Sequence, residues 1–347
     1  MAAPSVAGSL FERLCPMQVG QTRNEPDRVG RSSLVPVVAV VGATAAGKTA
    51  LSLDLAEALG GEVVNTDAMQ VYRGMDVGTA KLPEPEWRGI PHHLLDLLDV
   101  TETATVAEFQ RRARAVIEDC RDRGVPPVLV GGSALYTRAV LDTFEFPGTD
   151  PDVRARLESE LAEVGAATMH DRLRAVDPEA AERILPGNSR RVVRALEVVE
   201  ITGRPFTATL PDPAYVFPGT VQVGVRIPRT VLDQRIEQRV RRMWDDGLVE
   251  EVRALADRGL RDGLTAGRAL GYQQVLAFLD GACTEEEAFE RTVVGTRRFA
   301  RRQESWFVKD SRVTWVDWDD PDRVPTTVRS NASSSVHEPS RKASTCR

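Results

Sequence analysis

Cysteine is scarce and scattered. Its four copies, Cys15, Cys120, Cys283 and Cys346, form no C-x-x-C pair anywhere in the 347 residues. Neither a zinc site nor a disulfide framework is indicated, and buried or incidental thiols are the expectation. Histidine is equally sparse, with His170 and His337 far along the chain from the adjacent His92 and His93 and no H-E-x-x-H pattern. This argues against a histidine-held metal, and the pair reads instead as part of the wall below a site. No apolar run approaches the roughly 18 residues that a bilayer crossing needs, and the N-terminus has no charged-then-apolar signal pattern. A cytoplasmic address with no membrane partner follows as the expectation. An excess of positive charge is missing too: 45 basic against 51 acidic residues leave −6, which excludes indiscriminate nucleic-acid binding while leaving room for a local basic channel.

What is present is apolar material for a core, at 42% hydrophobic residues over a length that suits one large domain or two smaller ones. "VPVVAVVG" reads as a buried strand, "GKTALSLDLAEAL" as a helix, "GEVVNTD" as a short strand and "PPVLVGGSALYTRAVL" as a further strand, turn and helix. That alternation predicts an α/β core around a parallel sheet flanked by helices. Residues 150–205 turn purely helical and are expected to be an insertion between a first part of the core at 35–149 and a second at 206–320. "VQVGVRI" and "RVTWVDW" in the second part read as strands, the period-two spacing of the latter favouring a half-buried strand for Trp315 and Trp318 over base stacking. The unperiodic stretch 1–34 and the polar, Ser-rich 321–347 are expected to be a disordered extension and tail. There is no repeat and no coiled coil.

The most specific local signal is Gly42-Ala43-Thr44-Ala45-Ala46-Gly47-Lys48-Thr49, a G-x-x-x-x-G-K-[ST] loop after a strand and before a helix. Its backbone N–H groups and the helix N-terminus favour phosphate oxygens, Lys48 adds a mobile charge, and the Thr49 hydroxyl is placed to hold Mg²⁺. Phosphate binding is not ATP hydrolysis, however. "PPVLVGGSALY" ends in Gly-Gly-Ser where an ATPase would carry a metal-supporting Asp, and Asp67, after "EVVNT", is left to fill that role or another.

"NTDAMQVYRGMDVGTAK" at 65–81, joined to the phosphate loop, to "PHHLLDLLD" at 91–99 and to "LVGGSALY" at 129–136, resembles the tRNA dimethylallyltransferase (tRNA isopentenyltransferase) family in its bacterial form. The likeness continues in order through "RALEVVEITG", "QRIEQRVRRMWDDGLVEEVRAL", "RALGYQQ" and "TRRFARRQESWF", to about residue 318. The zinc-finger extension of some eukaryotic relatives is missing. The resemblance implies a P-loop NTPase-like fold and transfer of a dimethylallyl group from dimethylallyl diphosphate to N6 of the adenosine 3′ of the anticodon. The implied acceptors are tRNAs that read codons beginning with U. Diphosphate, held by residues 42–49 with Mg²⁺ as cofactor, is then the leaving group.

On the same grounds Asp67 is the proton acceptor, and Ser133, where the family usually has Thr, supplies a supporting hydrogen bond. Asp67, Ala68, Met69 and Gln70 line the adenine side of a tunnel fed from both ends. Contacts to the anticodon stem-loop are implied for Arg154, for Arg190, Arg191, Val192, Val193 and Arg194, and for Arg268, Ala269, Leu270, Gly271, Tyr272 and Gln273. Read without the family, Arg297 with Arg301 and Arg298 with Arg302 form two basic rows on one helix; the resemblance directs Arg298, Arg301 and Arg302 to tRNA. A monomer is expected. Ala43, Ala46 and Ala68 depart from the frequent Pro, Ser and Ser of the family. The first two positions contribute mainly backbone amides, whereas Ala68 gives up a hydroxyl near the adenine. Asp96 and Asp99 are open between supporting Mg²⁺ and capping a loop. A prenyltransferase acting on free adenine nucleotides and a small-molecule kinase are the competing readings.

Overall fold

The computed structural model describes residues 35–143, 146–206 and 213–334. The extension expected at 1–34 lies outside them. The first strand, β1 (Val38–Val41), is buried throughout. Val37, Ala39 and Val41 join one apolar core while Val38 and Val40 join another. A strand that is apolar at every position belongs in the middle of a sheet covered on both faces, and β1 lies there. It pairs in parallel with β4 (Pro127–Val130) and β5 (Val221–Arg226). Outside these lie β2 (Glu62–Asn65), the two-residue β3 (His92–His93) and β6 (Val313–Asp317), giving a six-stranded parallel sheet in the order β3-β2-β4-β1-β5-β6.

One face packs under α2 (Val106–Asp122), α3 (Ala134–Leu141), α8 (Leu248–Ala256) and α9 (Tyr272–Leu279). The other is covered by α1 (Lys48–Leu59), α7 (Arg229–Asp245) and part of α10 (Glu285–Phe307). Among the described residues no helix is long and apolar enough to cross a membrane.

The helical stretch has its own core. In α4 (Pro151–Val176), α5 (Pro178–Arg183) and α6 (Ser189–Thr202), Leu157, Met169, Leu173, Ile184, Val192 and Leu196 pack on one another, apart from the two cores of the sheet. Helix α4 kinks at Gly165, where the backbone leaves the helical region.

One expectation is corrected here. The segment placed in a disordered tail continues as α11 (Arg323–Ser334) and packs on α1, with Thr327 buried. Its Ser-rich composition hides a short stripe, Val324 and Val328 one turn apart, which joins the core above β5 and β6. Trp315 is half-buried on β6, as its spacing predicts, and Trp318 lies under the Arg235 guanidinium at 4.1 Å from its ring centre.

Candidate active site

The C-terminal ends of β1, β2 and β4 converge, as expected for ligand sites of open parallel sheets. From β1 the chain enters the phosphate loop. Gly47 has φ 104°, a conformation that favours glycine, and it precedes α1 with no side-chain cap, so the first N–H groups of α1 face the loop. Ala45 also has positive φ, at 62°, the kind of backbone strain that gathers at ligand-holding loops. The Lys48 ammonium donates to the Ala43 carbonyl at 2.7 Å, drawing the loop around itself.

Two cavities adjoin this loop and share Lys48, Thr49 and Arg239 as walls. The larger, about 330 Å³, is lined by Ala45, Gly47, Lys48, Thr49 and, from α7, Arg235, Gln238, Arg239 and Arg242. Four cations and no carboxylate line it, which is the electrostatics of an anion chamber. The smaller, about 90 Å³, carries one carboxylate, Asp67, among Asn65, Gln70, Thr79, His92, Phe299 and Gln303.

Lys48 stands between them. The residue as a whole is half-buried, but its ammonium lies deep. Burial and then the facing Arg239 lower its pKa from 10.5 to about 8, against the pull of Asp67. Burial likewise moves Arg239 below the usual arginine range, with Asp67 opposing and Arg242 adding to the shift.

Asp67 is held by its own neighbourhood. Its N–H donates to Asn65 Oδ1 at 2.8 Å, and its Oδ1 accepts the Met69 N–H at 2.8 Å. Asn65, buried at the end of β2, is itself fixed by donating from Nδ2 to the carbonyls of Asp67 and Leu94. Among the described residues no donor occupies Oδ2, so the carboxylate can accept one more hydrogen bond inside the cavity. The far wall is tied by Gln303 of α10, whose Oε1 accepts from Thr44 N–H at 2.8 Å while its Nε2 donates to the Gly132 carbonyl at 2.9 Å. A Cβ on Gly132 would sit 2.2 Å from that Nε2, so only glycine admits the bridge.

The remaining residues of sequence interest divide sharply. Ser133 begins α3 and is half-buried, but the wall beside it is formed by Gly131 and Gly132. Gln70 lines the smaller cavity, whereas Ala68 and Met69 pack against the core. Arg190, Arg191, Arg268, Gln273, Arg298, Arg301 and Arg302 are exposed.

Several residues implied for RNA contact have their side chains buried or engaged within the protein. Val192 and Val193 are buried in the core of the insertion, and Ala269 and Tyr272 in that of the sheet, so their side chains are closed to RNA. Their helices need an apolar side, and these residues are on it. Gly271 is buried and Leu270 half-buried against Gly295. Arg154 and Arg194 both pair with the fully buried Glu197, and Arg194 also donates to the carbonyls of Pro147 and Gly148. A buried carboxylate requires such partners, and this engages both guanidiniums within the protein. Arg297 is turned away from its expected row and pairs with Glu237 on α7 at 2.9 Å.

At the acidic and histidine positions the structure shows contacts within loops. Asp96 pairs with Lys81 at 2.6 Å, and Asp99 with Arg73 and Arg258. His92 stacks on Trp87 at 4.5 Å and lines the smaller cavity. His93 meets Glu62 at 2.7 Å in a group that includes Cys120. There, Arg123 grips both Glu62 oxygens at 2.7 Å, and burial with the nearby Glu62 raises the thiol to about 12.

The α7 arginines escaped the sequence reading although a signal was present. Positions 235, 239 and 242 are spaced i, i+4 and i+7, one face of a helix. Gln303 gave no such signal, because its two partners lie 171 and 259 residues away.

Comparison with known proteins agrees with this geometry. The family model described as IPP transferase matches residues 70–310. A tRNA dimethylallyltransferase of Nocardioides sp. is 67% identical over 293 residues, covering 84% of this chain and 94% of the relative. One from Salinispora tropica is 64% identical over 281 residues, covering 81% and 88%. The crystal structure of full-length tRNA isopentenylpyrophosphate transferase from Bacillus halodurans superposes with a TM-score of 0.63 at 40% identity, covering 87% of this chain and 97% of that one. A eukaryotic dimethylallyltransferase acting on tRNA reaches a TM-score of 0.73 at 27% identity, covering 86% and 77%. With its sequence and its sheet both matched along most of their length, this chain belongs to the IPP transferase family.

Proposed function

We infer that this chain is a tRNA dimethylallyltransferase, moving the dimethylallyl group of dimethylallyl diphosphate to N6 of the adenosine 3′ of the anticodon in tRNAs that read codons beginning with U. The observation that carries the reading is the pair of cavities: a chamber of four cations on one side of Lys48 and Arg239, and a chamber with one oriented carboxylate on the other. Prenyl transfer asks for such a division. As the C1–O bond breaks, charge builds on the departing diphosphate, and the loop amides, Lys48, Arg235, Arg239 and Arg242 are arranged to meet it. As N6 bonds to C1 it must shed a proton, and Asp67 is the acceptor within the second chamber. The amine is a weak nucleophile because its lone pair is delocalised into the purine, so orientation by Asp67 and Gln70 matters as much as basicity. Ser133, next to Gly132, supports that wall.

The residues present fit a hard divalent ion of the Mg²⁺ type. Thr49 offers a hydroxyl on the walls of both cavities, and a small oxygen-seeking ion takes its other ligands from diphosphate and water. When bound, such an ion would neutralise leaving-group charge. The adenine must leave its stack to reach Asp67, at a cost lowest in a single-stranded loop. Arg190, Arg191, Arg268, Arg298, Arg301 and Arg302 are exposed, and tRNA phosphates are proposed to meet them. Such an enzyme acts in the cytoplasm, and it is proposed to work as a monomer.

The test is mass spectrometry of nucleosides from unmodified tRNA incubated with the protein, Mg²⁺ and dimethylallyl diphosphate, beside an Asp67→Ala control. N6-dimethylallyladenosine, heavier than adenosine by C5H8, should appear with the parent and be much reduced in the control. Product on free adenine nucleotides but not on tRNA would replace the reading with nucleotide prenylation, and ATP turnover alone would replace it with a kinase.

A further inference from the structure

Glu251, on α8, lies outside both cavities, yet its carboxylate collects four hydrogen bonds. Its Oε2 accepts the N–H groups of Asp76 at 3.0 Å and Val77 at 2.7 Å; its Oε1 accepts the Gly78 N–H at 3.1 Å and the Tyr272 hydroxyl at 2.5 Å. Three consecutive amides on one carboxylate fix the backbone of a strap, residues 75–81, that runs along the active site. The strap is staked at its other end by Lys81, whose ammonium meets Asp76 and Asp96 at 2.6 Å and the Tyr72 carbonyl at 3.0 Å. Tyr272 is fully buried, and a Cβ on Gly78 would fall 2.5 Å from its ring, so the strap lies directly against it.

What the strap presents to the site is the Thr79 carbonyl. Arg239 of the cation chamber donates to it at 3.1 Å, and Gln70 of the carboxylate chamber at 3.2 Å. One backbone oxygen thus orients a side chain in each chamber, and its own position depends on the amides one to three residues before it. We propose that Glu251 is a positioning residue for the transfer reaction, acting through the 75–81 strap and the Thr79 carbonyl to aim Arg239 and Gln70. The proposal rests on the functional reading above. Neutral glutamine in place of Glu251 offers one acceptor oxygen to donors that now use two, so at least one strap amide loses its partner. A displacement near 1 Å at Arg239 is enough for roughly a hundredfold loss in a positioned reaction.

The experiment is a double-mutant cycle with Glu251→Gln and Arg239→Lys, read in two ways: prenyl-transfer kinetics, and calorimetric binding of inorganic pyrophosphate with Mg²⁺. Thermal melting is measured in parallel. The expected result is a fall of about tenfold or more in kcat for Glu251→Gln with the KM for tRNA within about threefold. Pyrophosphate should bind several-fold more weakly, and the two substitutions should be clearly less than additive in both readouts. Tyr272→Phe keeps the three amide bonds and should cost less. Additive effects, or a lowered melting temperature with kcat and pyrophosphate affinity unchanged, would overturn the proposal. If Glu251→Gln does not fold, Glu251→Asp, which keeps both oxygens but draws them back from the strap amides, takes its place in the cycle under the same criteria. A parent that transfers no prenyl group refutes the functional reading, while the pyrophosphate cycle still decides the role of Glu251.

Discussion

The arginines of α7 and those of the helical insertion are equally conspicuous in the sequence and have opposite fates in the fold. On α7, Arg235, Arg239 and Arg242 line a cavity with Lys48 and without a carboxylate. In the insertion, Arg154 and Arg194 are consumed by Glu197, an acid with no exposed surface. A cation is available for an anionic ligand only where the fold has not already supplied its counter-charge, and only the three-dimensional neighbours decide that. The same contrast appears within α10: Arg297 is held by Glu237, while Arg298, Arg301 and Arg302 remain exposed.

That contrast can be broken most severely from the insertion side. Replacing Arg154 and Arg194 together by Ala leaves the buried Glu197 carboxylate without either guanidinium, held only by the Asp150 N–H at 3.2 Å, and should cost about 3–5 kcal/mol of stability, read by thermal melting. If the double variant melts like the parent and instead loses tRNA affinity, the two arginines serve RNA after all. On the active-site side, Asp67→Ala should lower turnover by about 10²-fold or more with tRNA affinity within a few-fold. Equal turnover at saturating tRNA would remove Asp67 from the chemistry. Arg239→Ala should follow, with roughly a 10- to 100-fold loss in kcat/KM for the prenyl diphosphate and little change in melting. An unchanged kcat/KM would mean that the cation chamber is not the diphosphate site.

A pH series sharpens the comparison by acting on one cation alone. With its pKa lowered to about 8, Lys48 is charged in the free protein below that pH, so pyrophosphate affinity should weaken as pH rises through 8. Its stability contribution runs the other way. Between about 8 and 10.5 the unfolded chain still holds the proton that the folded chain has released, so this group makes unfolding less favourable as pH climbs through that window. Flat pyrophosphate affinity between pH 7 and 9 would place the Lys48 titration elsewhere. The smallest effect is expected for Arg191→Ala, which should weaken tRNA binding a few-fold and lower its salt slope by about one. An unchanged slope would turn Arg191 away from the RNA.

Much of the core was legible because its signals are local. A fully apolar strand, a glycine-punctuated turn and a helix are contiguous at 38–59, and the strand ending before Asp67 needs only its own few residues to be recognised. The resemblance then joined these pieces into an activity. It was weaker where it carried over whole segments. Val192, Val193, Ala269 and Tyr272 share those segments with exposed arginines but face the opposite way, and helical periodicity separates the two groups once the buried side is known. The helix at 323–334 was missed because composition outweighed a two-residue apolar stripe.

By itself, then, the sequence determined the parallel α/β core, the glycine-punctuated loop at 42–49 that joins strand to helix and the end of the strand before Asp67, since each is written in neighbouring residues whose backbone conformations and spacing carry the information. Only the tertiary structure decided which cations are free for a ligand and what holds the site in shape. The Gln303 bridge, the Glu197 pairs and the Glu251 clasp join residues that are distant along the chain. Coulombic and hydrogen-bond energies depend on separation in space, and folding alone sets that separation.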